Sequence, residues 1–311
     1  MLRSSLYWDA FEKRAEETSR CLKTGIPVPV RRVAIFVTDR CNLRCKYCSM
    51  TTIGHTMSKE RFVDIVGRHK DAIIHITGGE PSTVPWLYST LALQEGNFHL
   101  NTNAVIEPPY WHVQRLKVSL DSHIPDEWDE LVGVKGAFNK VVSNVQKSID
   151  KTVTSITCLM SSKNFRQLPA FVDFCNKEFP GLYAIFFSVY KGNNKESVMS
   201  SSDVEEFFRD VKPLLEERLL PESLALFQET IDEKCRLLQG IRFPQNNVKT
   251  CYLSLSERVY DWEKESHCSH LYRDNVIGGA VPHEKCLYGC NRRLVSFNQE
   301  VEQLMRANEV Q

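Results

Sequence analysis

The chain has 311 residues, 42% hydrophobic and 25% charged, with Lys+Arg and Asp+Glu balanced at 39 each. That is long enough for one large α/β domain or a domain with an appendage, and the neutral balance argues against a dedicated nucleic-acid surface. No run approaches the roughly 18 apolar residues of a membrane span. The opening MLRSSLYWDAFEKRAEE has acidic and aromatic residues where a signal peptide keeps an apolar stretch, so a cytoplasmic protein is expected.

In chain order, residues 5 to 23 carry Leu6, Trp8, Phe11, Ala15 and Leu22 among charges, the pattern of an amphipathic helix ended by Gly25, Pro27 and Pro29. Val33 to Val37 is a short apolar strand of the kind buried on both faces of a parallel sheet. Ser58 can cap a helix through His69, Ala72 to Thr77 is a strand, Pro85 to Gln94 a helix, and Phe98 to Thr102 and Leu116 to Leu120 are strands. Helices at Ala137 to Ile149 and Leu168 to Glu178 alternate with strands at Val153 to Met160 and Tyr183 to Tyr190. Strands separated by right-handed helical crossovers predict an α/β fold, a partial (β/α)6 TIM-like barrel, with its chemistry at the C-terminal strand ends. Beyond a boundary near 195 the pattern changes to two helical regions, Asp203 to Leu220 and Pro221 to Leu238. A hairpin around Leu253 to Asp261 and a closing helix from Leu294 to Ala307 follow. The expected division is a helix and linker over 1–30, the partial barrel over 31–195, and a cysteine-rich α+β extension over 196–311.

Eleven cysteines are many for a reducing compartment, and metal ligation explains them better than disulfides. Cys21, Cys158, Cys175 and Cys235 stand alone as core or surface thiols, while the other cysteines fall into two groups. Cys41, Cys45 and Cys48 form C-x3-C-x2-C directly after the first strand. Three thiolates from one loop can hold three irons of a cubane cluster and leave the fourth open to a small molecule. A structural zinc site would need a fourth ligand, which His55 is placed to supply.

The triplet, with Tyr47 before its last cysteine, resembles the signature of the radical S-adenosylmethionine (radical SAM) superfamily. Its companions follow in order. Gly78, Gly79, Glu80 and Pro81 after the second strand are similar to the family's GGEP segment, which implies that they hold the amino group of the methionine moiety. Thr102 and Asn103 resemble the TNG segment with Ala104 for glycine, and Ser119 to Ser122 the SLDG segment, again without its glycine. The resemblance implies Asn103 as a cofactor contact, Ser119 at the ribose hydroxyls, and Asp121 as a site wall or substrate-facing acid. It also implies a [4Fe-4S] cluster that reductively cleaves S-adenosylmethionine to a 5′-deoxyadenosyl radical, and a low-potential electron donor such as flavodoxin or ferredoxin.

Cys251, Cys268, Cys286 and Cys290 can complete a second cluster or an all-cysteine zinc site. Their order resembles the twitch auxiliary domain of some radical SAM enzymes, and one auxiliary [4Fe-4S] cluster is expected. The reading is an oxidoreductase or modifying enzyme acting on a small molecule (sugar-like or amino-acid-like) or a peptide. A nucleic-acid or nucleotide substrate stands as the alternative within the class. The GTP-cyclising relative is disfavoured because MRANEVQ lacks its glycine-rich tail. The rival class is a zinc-bound regulatory or nucleic-acid-binding protein.

Overall fold

The computed structural model describes residues 4–48, 50, 52–191, 194–239, 250–267, 281–282 and 292–307. Helix α1 (Ser4–Thr24) leads into β1 (Arg32–Phe36), and the chain then repeats strand and helix: α2 (Lys59–Arg68), β2 (Ile73–Thr77), α3 (Leu87–Leu91), β3 (Asn97–Thr102) and β4 (Arg115–Ser119). It continues through α4 (Pro125–Val132), α5 (Ala137–Ser148), β5 (Val153–Met160), α6 (Leu168–Glu178) and β6 (Ala184–Val189). Strands β1 to β6 lie side by side and parallel, as the crossovers require.

Alternation along the strands separates two faces. Val33 and Ile35 of β1, Ile74 and Ile76 of β2, and Leu116 and Val118 of β4 are buried in a core shared with Phe62 and Ile65 of α2, Leu87 of α3, Val141 of α5 and Phe171 of α6. Burying each such side chain contributes ~1.5–3 kcal/mol, and this layer holds the fold. The opposite residues, among them Arg32, His75, His99, Arg115 and Lys117, line the concave face.

After β6 come α7 (Ser201–Glu206), opened by a Ser200/Asp203 capping box, a π-helical turn over Phe207–Val211, α8 (Lys212–Arg218) and α9 (Pro221–Leu238). The ring of Phe227 on α9 packs edge-on against Phe187 of β6 at 5.5 Å. Short elements follow: β7 (Thr250–Cys251), α10 (Leu253–Ser256), β8 (Glu257–Tyr260), β9 (Glu265–Ser266) and β10 (Val281–Pro282), which pairs back on β7. Helix α11 (Arg292–Arg306) closes against α1, with Ala15, Leu253, Val295, Phe297 and Val301 in a second, smaller core.

The hairpin expected at 253–261 is replaced by a helical turn followed by a strand. Leu253 to Ser256 close α10, and β8 pairs parallel with β1, Arg32 opposite Glu257, while the hairpin forms later between β8 and β9. The sheet therefore has eight strands in the order β6-β5-β4-β3-β2-β1-β8-β9. Residues beyond 196 thus share the sheet of the barrel. Helix α4 was not expected; it starts with Pro125 in its first turn and stops at Gly133, whose φ of 70° is the left-handed conformation that glycine adopts without strain. The expected helix at 85–94 contracts to α3.

Candidate active site

The site is built on the loop that leaves β1. Thr38 hydroxyl donates to the His55 carbonyl at 2.7 Å, and buried Asp39 accepts from the amides of Ile53 and Gly54 at 3.1 and 2.9 Å. Burial alone would raise the Asp39 carboxyl, but backbone donors at Gly54, Ile53 and His55 hold it below the usual range. The two ends of the cysteine loop, residues 38–40 and 53–56, are thereby tied together. Between them, Cys41 and Cys48 are exposed, Cys45 is half-buried, and all three are free thiols. Burial, then the neighbouring Cys41, Asp121 and Cys48, pushes the Cys45 thiol up to about 12. Among the described residues no three Cys, His, Asp or Glu side chains are gathered in ligating geometry. The triplet thus shares a loop and an electrostatic environment without converging on one point.

Helix α4 secures the far side of that loop. The amides of Arg44 and Lys46 donate to the carbonyls of Val132 and Leu131 at 2.8 and 3.0 Å, and Lys46 Nζ reaches Glu130 at 2.6 Å.

The GGEP segment packs against the same loop. Gly79 and Glu80 amides donate to the carbonyls of Thr38 and Arg40, each at 2.7 Å. A Cβ on Gly78 would lie 2.4 Å from the Thr38 carbonyl oxygen, and one on Gly79 would lie 2.2 Å from that of Arg40, so both positions demand bare backbone. Gly78 also has φ 145°. Glu80 turns toward β3: its carboxylate, 1% exposed, accepts from Thr102 hydroxyl, the Asn103 amide and the Ser82 amide at 2.7, 2.7 and 3.0 Å. Burial raises its proton affinity while these donors oppose the rise.

Asn103 reaches back to the cysteine loop, its side-chain amide donating to Asn42 Oδ1 at 2.7 Å and lying 3.9 Å from Cys41 Sγ. Ala104, standing where the family has glycine, keeps the left-handed backbone at φ 53°. A side chain there costs ~1–2 kcal/mol, offset by bonds from its amide to Thr102 Oγ1 and from Asn144 to its carbonyl. Ser119 is exposed at the end of β4, paired in register with Thr157. Asp121 is 4% exposed; it accepts from the Tyr47 hydroxyl in a short bond and from the Leu159 amide at 2.6 Å. Burial pushes its carboxyl up to about 6 against the opposing pull of those two donors. Tyr47, Asp121, Leu159, Asn164 and Tyr190 line a cavity of about 470 Å³ at this end of the sheet.

The structure thus brings Tyr47, Gly78, Gly79, Glu80, Asn103 and Asp121 around the cysteine loop. Of the second group, Cys251 is half-buried on β7, while Cys268, Cys286 and Cys290 lie outside the described residues. Sequence reasoning missed Asn42, the Asp39–His55 contact and the polar residues of the concave face. For the last a signal existed, since IIHIT, NFHLNT and RLKVS carry a basic residue at strand positions facing away from the apolar layer.

The sequence model of the radical SAM superfamily matches residues 35–175. Those residues belong to the radical SAM superfamily. The matched stretch runs from β1 into α6 and holds every element just described around the cysteine loop. Curated relatives of this chain include two proteins of Methanococcus maripaludis, both named probable GTP 3′,8-cyclase. One is 26% identical over 167 residues, 48% of this chain and 56% of the relative; the other is 24% identical over 264 residues, 78% and 80%. The GTP 3′,8-cyclase of Desulforamulus reducens is 30% identical over 141 residues, covering 39% of this chain and 43% of that protein. The chain thus spans about half the length of the first of these relatives. These matches identify an enzyme. Two solved structures share the fold: Streptococcus suis SuiB bound to S-adenosylmethionine (TM-score 0.58, 15% identity, 88% of this chain and 68% of that one), and anSMEcpe with bound AdoMet and Cp18Cys peptide (TM-score 0.57, 16% identity, 89% and 83%).

The radical SAM match over 35–175 implies a [4Fe-4S] cluster and S-adenosylmethionine. The residues present suit both: three free thiols within one another's electrostatic reach, beside a glycine pair that admits no side chain. No described helix is long and apolar enough to cross a membrane.

Proposed function

We propose that Cys41, Cys45 and Cys48 hold the cluster and that the enzyme acts on a small molecule within the concave face of the sheet. When bound, the cluster supplies the electron that cleaves S-adenosylmethionine to methionine and a 5′-deoxyadenosyl radical able to take a substrate hydrogen. The observation that carries this reading is the pairing of Gly79 and Glu80 amides with Thr38 and Arg40, which seats the GGEP backbone directly on the cysteine loop.

The chain's own residues then have distinct tasks. Asn103 orients Asn42 beside Cys41, Glu80 ties β2 to β3, and Tyr47 donates to Asp121 and so anchors the loop to the end of β4. Ser119, exposed on the concave face, supplies a hydroxyl for a ribose contact. Asp121, with its carboxyl near 6, is positioned to hold or release a proton at the cavity wall. A low-potential donor such as flavodoxin or ferredoxin would deliver the electron, and Cys251, Cys268, Cys286 and Cys290 would carry an auxiliary cluster. Among the expected substrates, the name GTP 3′,8-cyclase borne by the curated relatives favours a nucleotide over a peptide.

Anaerobic iron and sulfide quantification, with assay of 5′-deoxyadenosine after reduction, tests the proposal. The variant with Cys41, Cys45 and Cys48 all changed to Ala should lose about four irons and all 5′-deoxyadenosine formation. Equal iron and equal 5′-deoxyadenosine in both proteins would refute it.

A further inference from the structure

Away from the cysteine loop, the concave face holds a second cavity of about 390 Å³. The sheet supplies Arg32 from β1, His75 from β2, His99 from β3, and Arg115 and Lys117 from β4, while α9 adds Lys234, which lies outside the stretch matched by the family. Among the described residues no Asp or Glu lines it. Strand alternation explains the clustering: these side chains project from the face opposite the apolar layer, and His75, His99 and Arg115 stand in one register row across β2, β3 and β4.

Gathering cations in one partly enclosed space is costly, because like charges repel more strongly where water is scarce. Lys117 registers that cost. Burial and then Arg115, Lys234 and Arg32 push its ammonium down to about 8, and among the described residues no carboxylate offsets them. His99 is pushed down to about 4 by burial and by Arg115 and Arg32, and His75 falls well below its ordinary value for similar reasons. The Phe186 ring lies 4.9 Å from Lys117 Nζ and 5.2 Å from the Arg115 guanidinium, contacts that contribute ~0.5–2 kcal/mol each and do not neutralise charge. At the edge, Glu257 of β8 accepts from Arg32 at 3.1 Å and lies 3.9 Å from Arg14.

We infer that this cavity seats the linked phosphates of the substrate, which is therefore a small molecule bearing two or three phosphoryl groups. The inference rests on the proposed reaction within the sheet and names the substrate class for it. A single carboxylate brings one negative charge to a wall that carries Arg115, Lys117 and Lys234. A di- or triphosphate brings several negative charges and many acceptor oxygens to Arg115, Lys117 and Lys234, and the two histidines supply N–H donors.

Titration of the full anaerobic protein with inorganic tripolyphosphate, read by calorimetry and by melting temperature against sodium chloride of equal ionic strength, tests the inference. Saturable binding with a rise in melting temperature is expected. Lys117→Met and Lys234→Met should each weaken it by about tenfold or more, the loss of a charge-assisted bond. Lys117→Met should at the same time raise the melting temperature of the anion-free protein, which a merely structural lysine would not do. No saturable binding, or binding unchanged in both variants, would overturn the inference. Assay of 5′-deoxyadenosine in the same preparations separates the two readings. Its formation without anion binding sinks only the phosphate seat, while anion binding without it upholds the seat and sinks the proposed reaction.

Discussion

Lys117 couples stability and binding in opposite senses. Its ammonium is pushed down from the usual 10.5 to about 8 by burial, Arg115, Lys234 and Arg32; Lys234 falls likewise to about 8 through burial and Lys191, with Glu233 and Cys235 opposing. A depressed folded value means that the stability tied to the group is present above its unfolded value and is lost as pH falls through about 8. The anion-free fold should therefore gain stability as pH rises from 8 toward 10.5. Phosphate binding needs the charged form, so tripolyphosphate affinity should fall over the same range. Calorimetric titration at pH 7 and pH 9.5 checks the sign, and an affinity that rises with pH would contradict the assignment.

At the scale of elements, α4 is the brace of the cysteine loop, because the carbonyls of Leu131 and Val132 hold Arg44 and Lys46. Trp128, 1% exposed, seats that helix beside Phe138. Trp128→Ala should cost ~3–5 kcal/mol and reduce the iron retained after reconstitution, measured by denaturant unfolding and iron assay. A full loss of stability with unchanged iron would show that α4 does not hold the loop. This helix was not legible in the sequence: PDEWDELV is two turns long, and Pro125 and Gly133 made it resemble loop. The six strands β1 to β6 were legible because each places apolar residues in a short run or in alternation between turn residues, and the cysteine triplet and GGEP fall at strand ends. Partners were not legible. The family resemblance makes Glu80 a cofactor contact but does not give its bonds from Thr102 and Asn103, a pairing set by the order of strands and not by spacing along the chain. The residues LSLS alternate like a strand but close a helical turn, because the strand that β1 needs at its edge begins one residue later.

For the whole molecule, the termini and the sheet are mechanically joined. Helix α11 packs on α1, α9 packs on β6, and β8 returns to pair with β1, so the expected division near 195 separates segments that share one sheet. Arg14 of α1 and Arg32 of β1 converge on Glu257 of β8, linking the N-terminal helix to that edge. Phe297→Ala in α11 should cost ~3–5 kcal/mol and lower the main melting transition seen by calorimetry. A new low-temperature transition beside an unchanged main one would show instead that the α1–α11 pair melts by itself.

The turn between β8 and β9 carries Trp262, whose indole stacks on the His55 imidazole at 5.0 Å and 9° between planes, while Arg61 grips the carbonyls of Asp261 and Lys264. His55 in turn faces Asp39 at 3.1 Å. The indole is thus a native fluorophore resting on the tail of the cysteine loop, and any repositioning of that tail alters the stack. Its emission, isolated as the difference between the native protein and a Trp262→Phe variant, gives an optical readout of loop seating that requires no introduced label.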